Sequence, residues 1–454
     1  MTSPQTNLQN INVCIIARKR LKNNTRVIRQ AGALAKVGAN VTVISLENPI
    51  TEYLQNYSSV RFIEVKIKPW PTMILQTFNK IVRLFKSAWI YLLVYTGVED
   101  KSRLEMKKRK GSINRTNSIL STFMRKHLAP YSNLALTIQF SRNVEKTLGK
   151  EQFDYCQAHD SYALSATWRL ANKTGGKIIY DAVEAPDERS GNALSSTPAW
   201  LRNIESVRDE KIIQKASRVF SIGESLADWT ANRYKIEKPI VIRNCSLYSE
   251  TEAKDSVKKF LGLNDEDKLG IVVGSIYEGQ GLEQLLKSLE YLNKNYHVAV
   301  IGPVSKTRYE SHIMNIVKNR KFQNRFHVIP PRKQTEIIDF ISDADLGLIL
   351  LQPDKLNHRL ALPNKLFEYI MARLPIVSGN IKDVKTIIDK YKNGLCCDER
   401  NPEDIAKAMK NLCNDAAYKS RVNKTAKILC WEEEVIKYLQ VLDAHSKKRE
   451  KLSI

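Results

Sequence analysis

Short apolar runs alternate with amphipathic stretches along most of the chain. Residues 11–17 form a first apolar run rich in β-branched side chains, which predicts a buried strand. A helical pattern follows from about residue 26 to residue 37, Gly38 ends it, and a second apolar run occupies residues 41–44. This strand–helix–strand order, with a short second connection, is typical of a doubly wound parallel sheet.

The alternation recurs in two series, which meet near residues 245–255. Further strands are predicted at residues 155–159, 177–180, 218–222, 239–242, 270–274, 297–301, 326–329, 346–351 and 376–377. The pattern predicts an α/β protein with Rossmann-like domains at residues 1–245 and 246–430. We expect residues 431–454 to form a C-terminal helix that packs back on the first domain.

An insertion near residues 70–127 interrupts the alternation. Apolar side chains recur at helical spacing in residues 72–96, but lysine and arginine lie among them and exclude a transmembrane span. Residues 101–126 then carry nine basic residues and one acidic residue. An amphipathic helix beside a basic cluster is typical of peripheral proteins on anionic lipid. A helix packed on the sheet has the same periodicity, so both interpretations stay open.

Charge is distributed unevenly along the 454 residues, whose formal net charge is +24. Residues 1–245 hold 38 Lys and Arg against 20 Asp and Glu, whereas residues 246–454 hold 34 against 28. The first domain is therefore expected to face an anionic partner, such as nucleic acid, a membrane surface or a phosphorylated substrate. Nucleic-acid binding is kept as an alternative but is not expected, because no recognition module or interleaved aromatic residues accompany the charge.

The seven cysteines and the N-terminus bear on the compartment. The cysteines show neither a CxxC motif nor metal-ligand spacing, so we expect free thiols and no metal site. Residues 1–12 are polar and uncharged, unlike a secretory signal. We predict a cytoplasmic protein, peripheral on the inner face of the cytoplasmic membrane.

The most informative segment is residues 363–377, in which a predicted helix runs into an apolar strand. Pro363 and Asn364 form a helix-start signal, and Lys365 and Glu368 lie one turn apart on the same face. A cation and a carboxylate placed together suit a nucleotide sugar, the cation for the diphosphate and the carboxylate for ribose or sugar hydroxyls. The alternative is an exposed ion pair of little energetic consequence.

Other short motifs fall at predicted strand ends and turns. They are Arg26 after a basic loop, Ala158-His159-Asp160, Tyr180-Asp181-Ala182-Val183-Glu184, Asn244, Gly274-Ser275, Gln280-Gly281, Ile301-Gly302-Pro303 and Asn393-Gly394-Leu395. With residues 363–369, their order and spacing over residues 11–440 resemble the retaining family-4 glycosyltransferases of the GT-B fold, also called glycosyltransferase group 1. The resemblance implies two Rossmann-like domains facing each other across a cleft, with the nucleotide sugar on the second domain and the acceptor on the first.

The resemblance also implies roles for individual residues. On the donor side, backbone at Gly274 and Ser275 would approach the phosphates, Lys365 would pair with the diphosphate, and Glu368 would accept from ribose. The other donor-side candidates are Gln280, Gly302, Arg332, Asn364 and Leu366. The candidates for the acceptor side and catalysis are Arg26, His159, Asp160, Asp181 and Glu184. No metal or cofactor is implied, because a lysine and a helix N-terminus can stabilise the departing diphosphate.

Three positions depart from the family pattern. Leu360 stands where the first glutamate of a pair is expected, and Val183 where related proteins often carry histidine. Gln280 replaces a basic residue, and Arg332 and Lys333 are candidates to supply that cation. The favoured interpretation is an enzyme that transfers a sugar to a lipid-linked or surface-polysaccharide intermediate. A non-catalytic GT-B subunit that binds or scaffolds a partner transferase stays the alternative.

Overall fold

A computed structural model describes residues 8–21, 24–48, 58–67, 134–186, 198–250, 256–303, 307–318, 322 and 324–450, with backbone alone for 444–450. The insertion expected at residues 70–127, with its amphipathic and basic segments, lies wholly outside the described residues. Within the part of the chain that is described, no helix is both long enough and apolar enough to cross a bilayer.

A seven-stranded sheet forms the centre of the N-terminal domain. Its strands are β1 (Asn12–Arg20), β2 (Asn40–Glu47), β3 (Val60–Glu64), β4 (Tyr155–His159), β5 (Lys177–Ala182), β6 (Arg218–Ser221) and β7 (Ile240–Val241). They are all parallel, in the order β3-β2-β1-β4-β5-β6-β7. The helices are α1 (Thr25–Lys36), α2 (residues 134–148), α3 (Leu164–Thr174), α4 (Ala199–Ile213) and α5 (Glu224–Tyr234), with a 3-10 turn at Ser161–Ala163.

A six-stranded parallel sheet forms the centre of the second domain. Its strands are β8 (Lys268–Val273), β9 (Tyr296–Ile301), β10 (Phe326–Ile329), β11 (Leu346–Ile349), β12 (Ile376–Ser378) and β13 (Gly394–Cys396). Their order is β10-β9-β8-β11-β12-β13. The helices are α6 (Val257–Leu261), α7 (Leu282–Ser288), α8 (Arg308–Val317), α9 (Ile337–Ile341), α10 (Leu356–Arg359), α11 (Asn364–Met371), α12 (Lys382–Tyr391), α13 (Pro402–Asn414) and α14 (Ala417–Ile428), with a 3-10 turn at Leu289–Tyr291.

Each sheet is covered on both faces, because its strands are apolar almost throughout and must be buried on both sides. The last helix, α15 (Trp431–Glu450), returns to the first domain. Trp431, Tyr438 and Leu442 of this helix are buried in the same core cluster as Ile15 and Val43. The N-terminal domain is therefore completed by the end of the chain.

Side-chain caps shape the turns that follow β1 and β4, at the end of the sheet where ligands bind in folds of this kind. The side chain of Asn24 caps α1 by accepting a hydrogen bond from the amide of Val27. Asp160 takes a positive φ of 62° and caps the 3-10 turn by accepting from the amide of Tyr162 at 2.7 Å. Because all strands of a sheet are parallel, these turns gather at one edge of the sheet, where doubly wound proteins bind ligands.

The predicted fold class is confirmed, with two parallel α/β layers in the predicted order. Sequence reasoning missed strands β3 and β13 and several helices, among them α4. The apolar run of β3 is short and interrupted by Arg61 and Glu64, and α4 leaves much of one apolar face exposed, so neither gives a strong pattern.

Candidate active site

The donor-side candidates lie together at the carboxyl ends of β8, β9 and β11. Gly274 and Ser275 follow β8, Gly302 follows β9, and α11 starts at Asn364 after the connection from β11. Lys365 and Glu368 are on the first turns of α11, so their side chains and the helix N-terminus border the same edge of the sheet. Backbone amides and a cation at this edge can bind an anion.

Two glycines allow the loops after β8 and β9 to touch. The amide of Gly274 donates to the carbonyl of Ile301 at 2.9 Å, and Gly274 has a φ of 126°. A Cβ added at Gly302 would lie 2.2 Å from the carbonyl oxygen of Gly274. Only a hydrogen fits there, and this close approach leaves a backbone-lined edge with no side chain in the way.

Lys365 is held by an amide instead of a carboxylate. Its Nζ donates to Oε1 of Gln280 at 3.3 Å, and Nε2 of Gln280 donates to the carbonyl of Ser275 at 2.9 Å. Burial lowers the pKa of Lys365 to about 8, which the charge of Glu368 only partly opposes. The ammonium group thus lies at Gln280, the position where the family has a basic residue.

Glu368 is also held by an amide. Its side chain is 5% exposed and accepts a hydrogen bond from Nε2 of Gln334 at 2.7 Å. Burial raises the pKa of Glu368, and the Gln334 hydrogen bond and the charge of Lys365 only partly offset this. In the described part of the protein neither Lys365 nor Glu368 forms an ion pair, so each has capacity left for a ligand.

The remaining donor-side candidates are placed as follows. The guanidinium of Arg332 stacks over Phe340 at 4.3 Å and Phe260 at 5.2 Å. Oδ1 of Asn364 accepts from Nδ2 of Asn244 at 2.7 Å. Leu366 is fully buried, so it can offer a ligand only its backbone.

A buried network of polar side chains occupies the facing edge of the first sheet. Arg26 of α1 donates to Asp181 at the end of β5 from Nε at 2.8 Å and from a terminal nitrogen at 2.6 Å, and to the carbonyl of Ile242 at 2.7 Å. Both side chains are almost fully buried. Gln30 adds a further hydrogen bond to Asp181 at 3.2 Å. Burial alone would raise the pKa of Asp181, but the charge and hydrogen bonds of Arg26, with His159, hold that pKa well below its usual range.

His159 lies between Asp181 and the first loop. Nδ2 of Asn24 is 2.8 Å from Nε2 of His159, and Nδ1 of His159 is 3.4 Å from Oδ2 of Asp181. Since the Asn24 amide nitrogen can only donate, Nε2 accepts and the proton is assigned to Nδ1, facing the carboxylate. Asp160 pairs with Nζ of Lys19 at 2.6 Å. Among the acceptor-side carboxylates, Asp160 and Asp181 are buried and Glu184 is half-buried.

Within the described ranges, three sets of hydrogen bonds join the two domains around the cleft. Asn357 of α10 accepts from the amide of Ala185 at 2.7 Å and donates to its carbonyl at 3.1 Å. Asp383 of α12 accepts from the backbone amide of Ser225 at 3.0 Å and from its hydroxyl at 2.5 Å, at the start of α5. The third set is the contact of Asn244 with Asn364. Neither Asn357 nor Asp383 could be predicted from sequence patterns, because each contacts its partner's backbone or hydroxyl across the cleft.

A cavity of about 310 Å³ borders this junction. It lies between Thr25 and Arg29 of α1 and Gln334 and Asp339 of the second domain, with residues 246–249 closing one side. Because Gln334 also holds Glu368, the cavity adjoins the donor-side carboxylate. A pocket of this size is at the lower end of the range for small-molecule sites.

Departures from the family pattern also have defined places. Leu360 follows α10 and is half-buried, and Val183 is half-buried just after β5. Within the described residues there is no group of three or more His, Cys, Asp or Glu side chains arranged to hold a metal. The geometry therefore offers a cation, a carboxylate and backbone amides on one side of the cleft and carboxylates with a histidine on the other.

The chain is similar to known glycosyltransferases. Residues 253–428 match the family described as Glycosyl transferases group 1. A relative from Haemophilus influenzae, an uncharacterized glycosyltransferase, is 26% identical over 151 residues, which is 33% of this chain and 40% of that protein. The alignment thus spans well under half of the relative's length.

Solved structures share the fold over nearly the whole chain. A glycosyltransferase from Rickettsia africae has a TM-score of 0.62 at 11% identity and covers 95% of this chain and 97% of its own. Anabaena HepE in complex with UDP has a TM-score of 0.65 at 10% identity, covering 96% and 100%. WaaG, a glycosyltransferase involved in lipopolysaccharide biosynthesis, has a TM-score of 0.57 at 13% identity, covering 95% and 99%.

Fold and family together define the class. The chain has the GT-B architecture, and residues 253–428, in its second domain, match the group 1 glycosyltransferase family. The resemblance drawn from the sequence motifs is confirmed.

Proposed function

We propose that the protein transfers a sugar from a nucleotide-diphosphate sugar to an acceptor hydroxyl with retention of configuration. The observation that carries this proposal is the pair Lys365 and Glu368 at the N-terminus of α11, the first half-buried and the second buried, whose hydrogen-bond partners among the described residues are amides. The diphosphate would replace Gln280 as the partner of Lys365, and ribose hydroxyls would replace Gln334 as the partner of Glu368. In both exchanges the ligand stabilises the charged form of a side chain, which burial now disfavours.

The reaction proceeds by exchange of one bond at the anomeric carbon. The bond from this carbon to the diphosphate oxygen breaks, and a bond to the acceptor oxygen forms on the same face. The acceptor proton passes to the departing phosphate, giving a nucleoside diphosphate and a glycoside. Lys365 and the N-terminus of α11 stabilise the leaving charge, and the protein supplies positioning rather than a nucleophile.

We propose uridine as the first base to test, since HepE, which shares the fold, has been crystallised with UDP-glucose. Thermal shifts with UDP, GDP, ADP and their sugars would measure this, because a ligand that binds only the folded state raises its stability. No shift with any nucleotide sugar would remove the proposal. Binding without hydrolysis or transfer would favour the non-catalytic subunit, which Leu360, Gln280 and Val183 suggest as the alternative.

On the acceptor side, Glu184 is proposed to contact the hydroxyl, because it is the carboxylate least enclosed by protein. Asp160 and Asp181 would affect transfer indirectly, by fixing the backbone at the ends of β4 and β5 that border the acceptor. His159 would do so through its contact with Asp181. Replacing Asp160, Asp181 and Glu184 in turn by their amides should lower transfer and leave donor affinity nearly unchanged. Equal loss of donor affinity would move these residues out of the acceptor role.

The acceptor is proposed to be a phosphate-bearing, lipid-linked glycan at a membrane surface. Support comes from the +18 charge of residues 1–245, 38 basic against 20 acidic, and from the basic residues at 101–126 beside the amphipathic sequence at 72–96. Reversing Lys107, Lys108, Arg109 and Lys110 to glutamate should release the protein from anionic vesicles. Equal binding to neutral and anionic vesicles would contradict the electrostatic part of this proposal.

A further inference from the structure

An apolar groove of about 830 Å³ lies on the outer face of the N-terminal domain, between α2, α3 and α4. Trp168 and Ile212 line it, and Ile138, Ile204 and Val207 border it while remaining 43%, 57% and 51% exposed. No part of the donor or acceptor site described above lies in it.

The apolar side chains on α4 form a stripe. Trp200, Ile204 and Val207 are spaced by four and three residues, so they share one helix face, and Trp200 is 54% exposed. With Ile138 on α2, they make up four of the eleven large hydrophobic side chains that are strongly exposed among the described residues. Single exposed apolar residues are ordinary, but clustering of this kind marks an interaction surface.

Cations surround the groove. Lys211 and Lys215 are exposed at the C-terminal end of α4, and the ammonium of Lys215 lies 4.8 Å from the ring centre of Trp168. Arg169 and Arg208 also line the groove, each paired with a carboxylate, Glu145 and Asp209. The partner that this surface fits therefore has an apolar part and negative charge.

Charge distinguishes the three candidate partners for the groove, which are a second copy of the chain, the chain's own residues 68–133 and a lipid surface. A second copy of the chain carries +24 and would be repelled. Residues 68–133, which precede α2, hold thirteen basic and three acidic residues, so charge also disfavours this segment as the cover. An anionic lipid surface satisfies both requirements, since its hydrocarbon accepts apolar side chains and its phosphates attract lysine and arginine.

We propose that this groove docks the protein on an anionic phospholipid surface. Hydrocarbon enters between Ile138 on α2 and Ile204 and Val207 on α4, and headgroup phosphates pair with Lys211 and Lys215. The inference deepens the proposed lipid-linked acceptor, because it would hold the N-terminal domain at the surface where such an acceptor is found. Docking itself needs neither donor nor acceptor.

The test is co-sedimentation of the full chain with vesicles of phosphatidylglycerol and of phosphatidylcholine. The apolar variant Ile204→Ser with Val207→Ser and the charge variant Lys211→Glu with Lys215→Glu should each bind phosphatidylglycerol vesicles at least about tenfold more weakly, since each basic residue contributes about 1 kcal/mol near such a surface. Matched controls lie on α14: Ile428→Ser, at a side chain 50% exposed, and Lys419→Glu with Lys424→Glu. These should bind like the parent.

Each contrary result overturns the proposal in a recognisable way. Parent-like binding by both groove variants, with release only on reversal of residues 107–110, would place the membrane contact in that segment alone. A lower thermal midpoint for the apolar variant would mean that protein already covers the groove, either the chain's own segment or a second copy. Donor binding, read by thermal shift, should be unchanged in every groove variant, so its absence in the parent would count against the proposed function and not against docking.

Discussion

Two groups of buried or half-buried charged side chains face each other across the cleft, and their hydrogen-bond partners differ in kind. In the N-terminal domain, Arg26 and Asp181 pair through two hydrogen bonds, and every further bond in the network goes to a fixed protein group. In the second domain, Lys365 and Glu368 each have an amide partner, and neither forms a direct ion pair within the described residues. The first arrangement keeps its charges ionised, whereas the second moves both pKa values toward neutrality.

The comparison separates scaffold from binding site. A complete network gains nothing from a ligand, because every donor and acceptor already has a partner. The pair Lys365 and Glu368 gains stabilisation from a ligand. A bound diphosphate supplies the anion that Lys365 lacks, and a bound hydroxyl supplies a further donor to Glu368. The four predictions below test this distinction, from the largest expected effect to the smallest.

The largest effect is expected from Arg26→Ala. Removing the guanidinium leaves the carboxylate of Asp181 buried without its partner, which costs about 3–5 kcal/mol of unfolding free energy in comparable cases. Urea denaturation would measure the loss. Arg61→Ala is the matched control, because Arg61 pairs with Glu151 at an exposed position and should cost about 0–1 kcal/mol. Similar losses for both variants would contradict the scaffold assignment.

Lys365→Ala and Glu368→Ala should show the reverse pattern. Each should weaken donor binding or turnover by about 10- to 150-fold, which corresponds to loss of a charge-assisted contact of about 1.5–3 kcal/mol. Unfolding free energy should stay near that of the parent, since neither side chain forms an ion pair within the described residues that the substitution would break. Lys287→Ala, which breaks an exposed pair with Glu283, is the control for loss of a lysine. If both site variants turn over donor like the parent, the donor site lies elsewhere.

Asn357→Ala tests whether the hydrogen bonds of Asn357 across the cleft hold Glu184 in position relative to the donor site. The amide holds both backbone groups of Ala185, next to Glu184, and losing two neutral hydrogen bonds costs about 1–3 kcal/mol. We expect transfer to fall by about tenfold or more while donor affinity and donor hydrolysis stay unchanged, because Glu184 is displaced from the donor. Asn401→Ala, which removes a remote helix cap, serves as the comparison variant. Equal loss of hydrolysis and transfer would show that Asn357 does not act through Glu184.

The smallest effect concerns pH. The pKa of Lys365 lies at about 8, so donor affinity should begin to fall as pH rises through 8, when the free protein loses its cation. Fold stability should move the other way, since between about pH 8 and pH 10.4 the unfolded lysine binds the proton that the folded one has lost. Lys365→Arg stays charged and should remove the dependence of donor affinity between pH 7 and pH 9.5. A parent profile as flat as that of the arginine variant would place the Lys365 pKa outside this window.

The order of strands and helices could be predicted because a buried parallel strand, such as residues 270–274, is apolar on both faces. Such a strand is therefore recognised as a continuous apolar run in the sequence. The start of α11 was equally visible, since Pro363 and the lysine and glutamate that follow it are close in sequence. Contacts between distant residues were not. Lys365 and Gln280 are 85 residues apart, and no pattern in either segment shows that they meet.

That contact also changes how the missing cation is interpreted. Gln280 was expected to leave the phosphates without a basic residue, with Arg332 or Lys333 as substitutes. Arg332 instead stacks on two aromatic rings, and Lys365 brings its ammonium to Gln280 from another helix. One cation therefore adjoins Gln280, and it is the lysine that the resemblance already assigns to the diphosphate. Amide tethers such as Asn357 were missed for the same reason, because asparagine is common in turns and its partner is backbone.

The return of α15 to the first domain has a consequence for how the protein is made. The hydroxyl of Tyr438 donates to Gln157 at 2.8 Å across 281 residues, and Gln157 in turn holds Gln30, which bonds Asp181. A ribosome therefore releases the whole second domain before the first can close its core. Until then the surface that receives Trp431 and Leu442 stays open to water and to other nascent chains. The N-terminal half expressed alone should accordingly aggregate, and adding residues 431–450 as a separate peptide should rescue it.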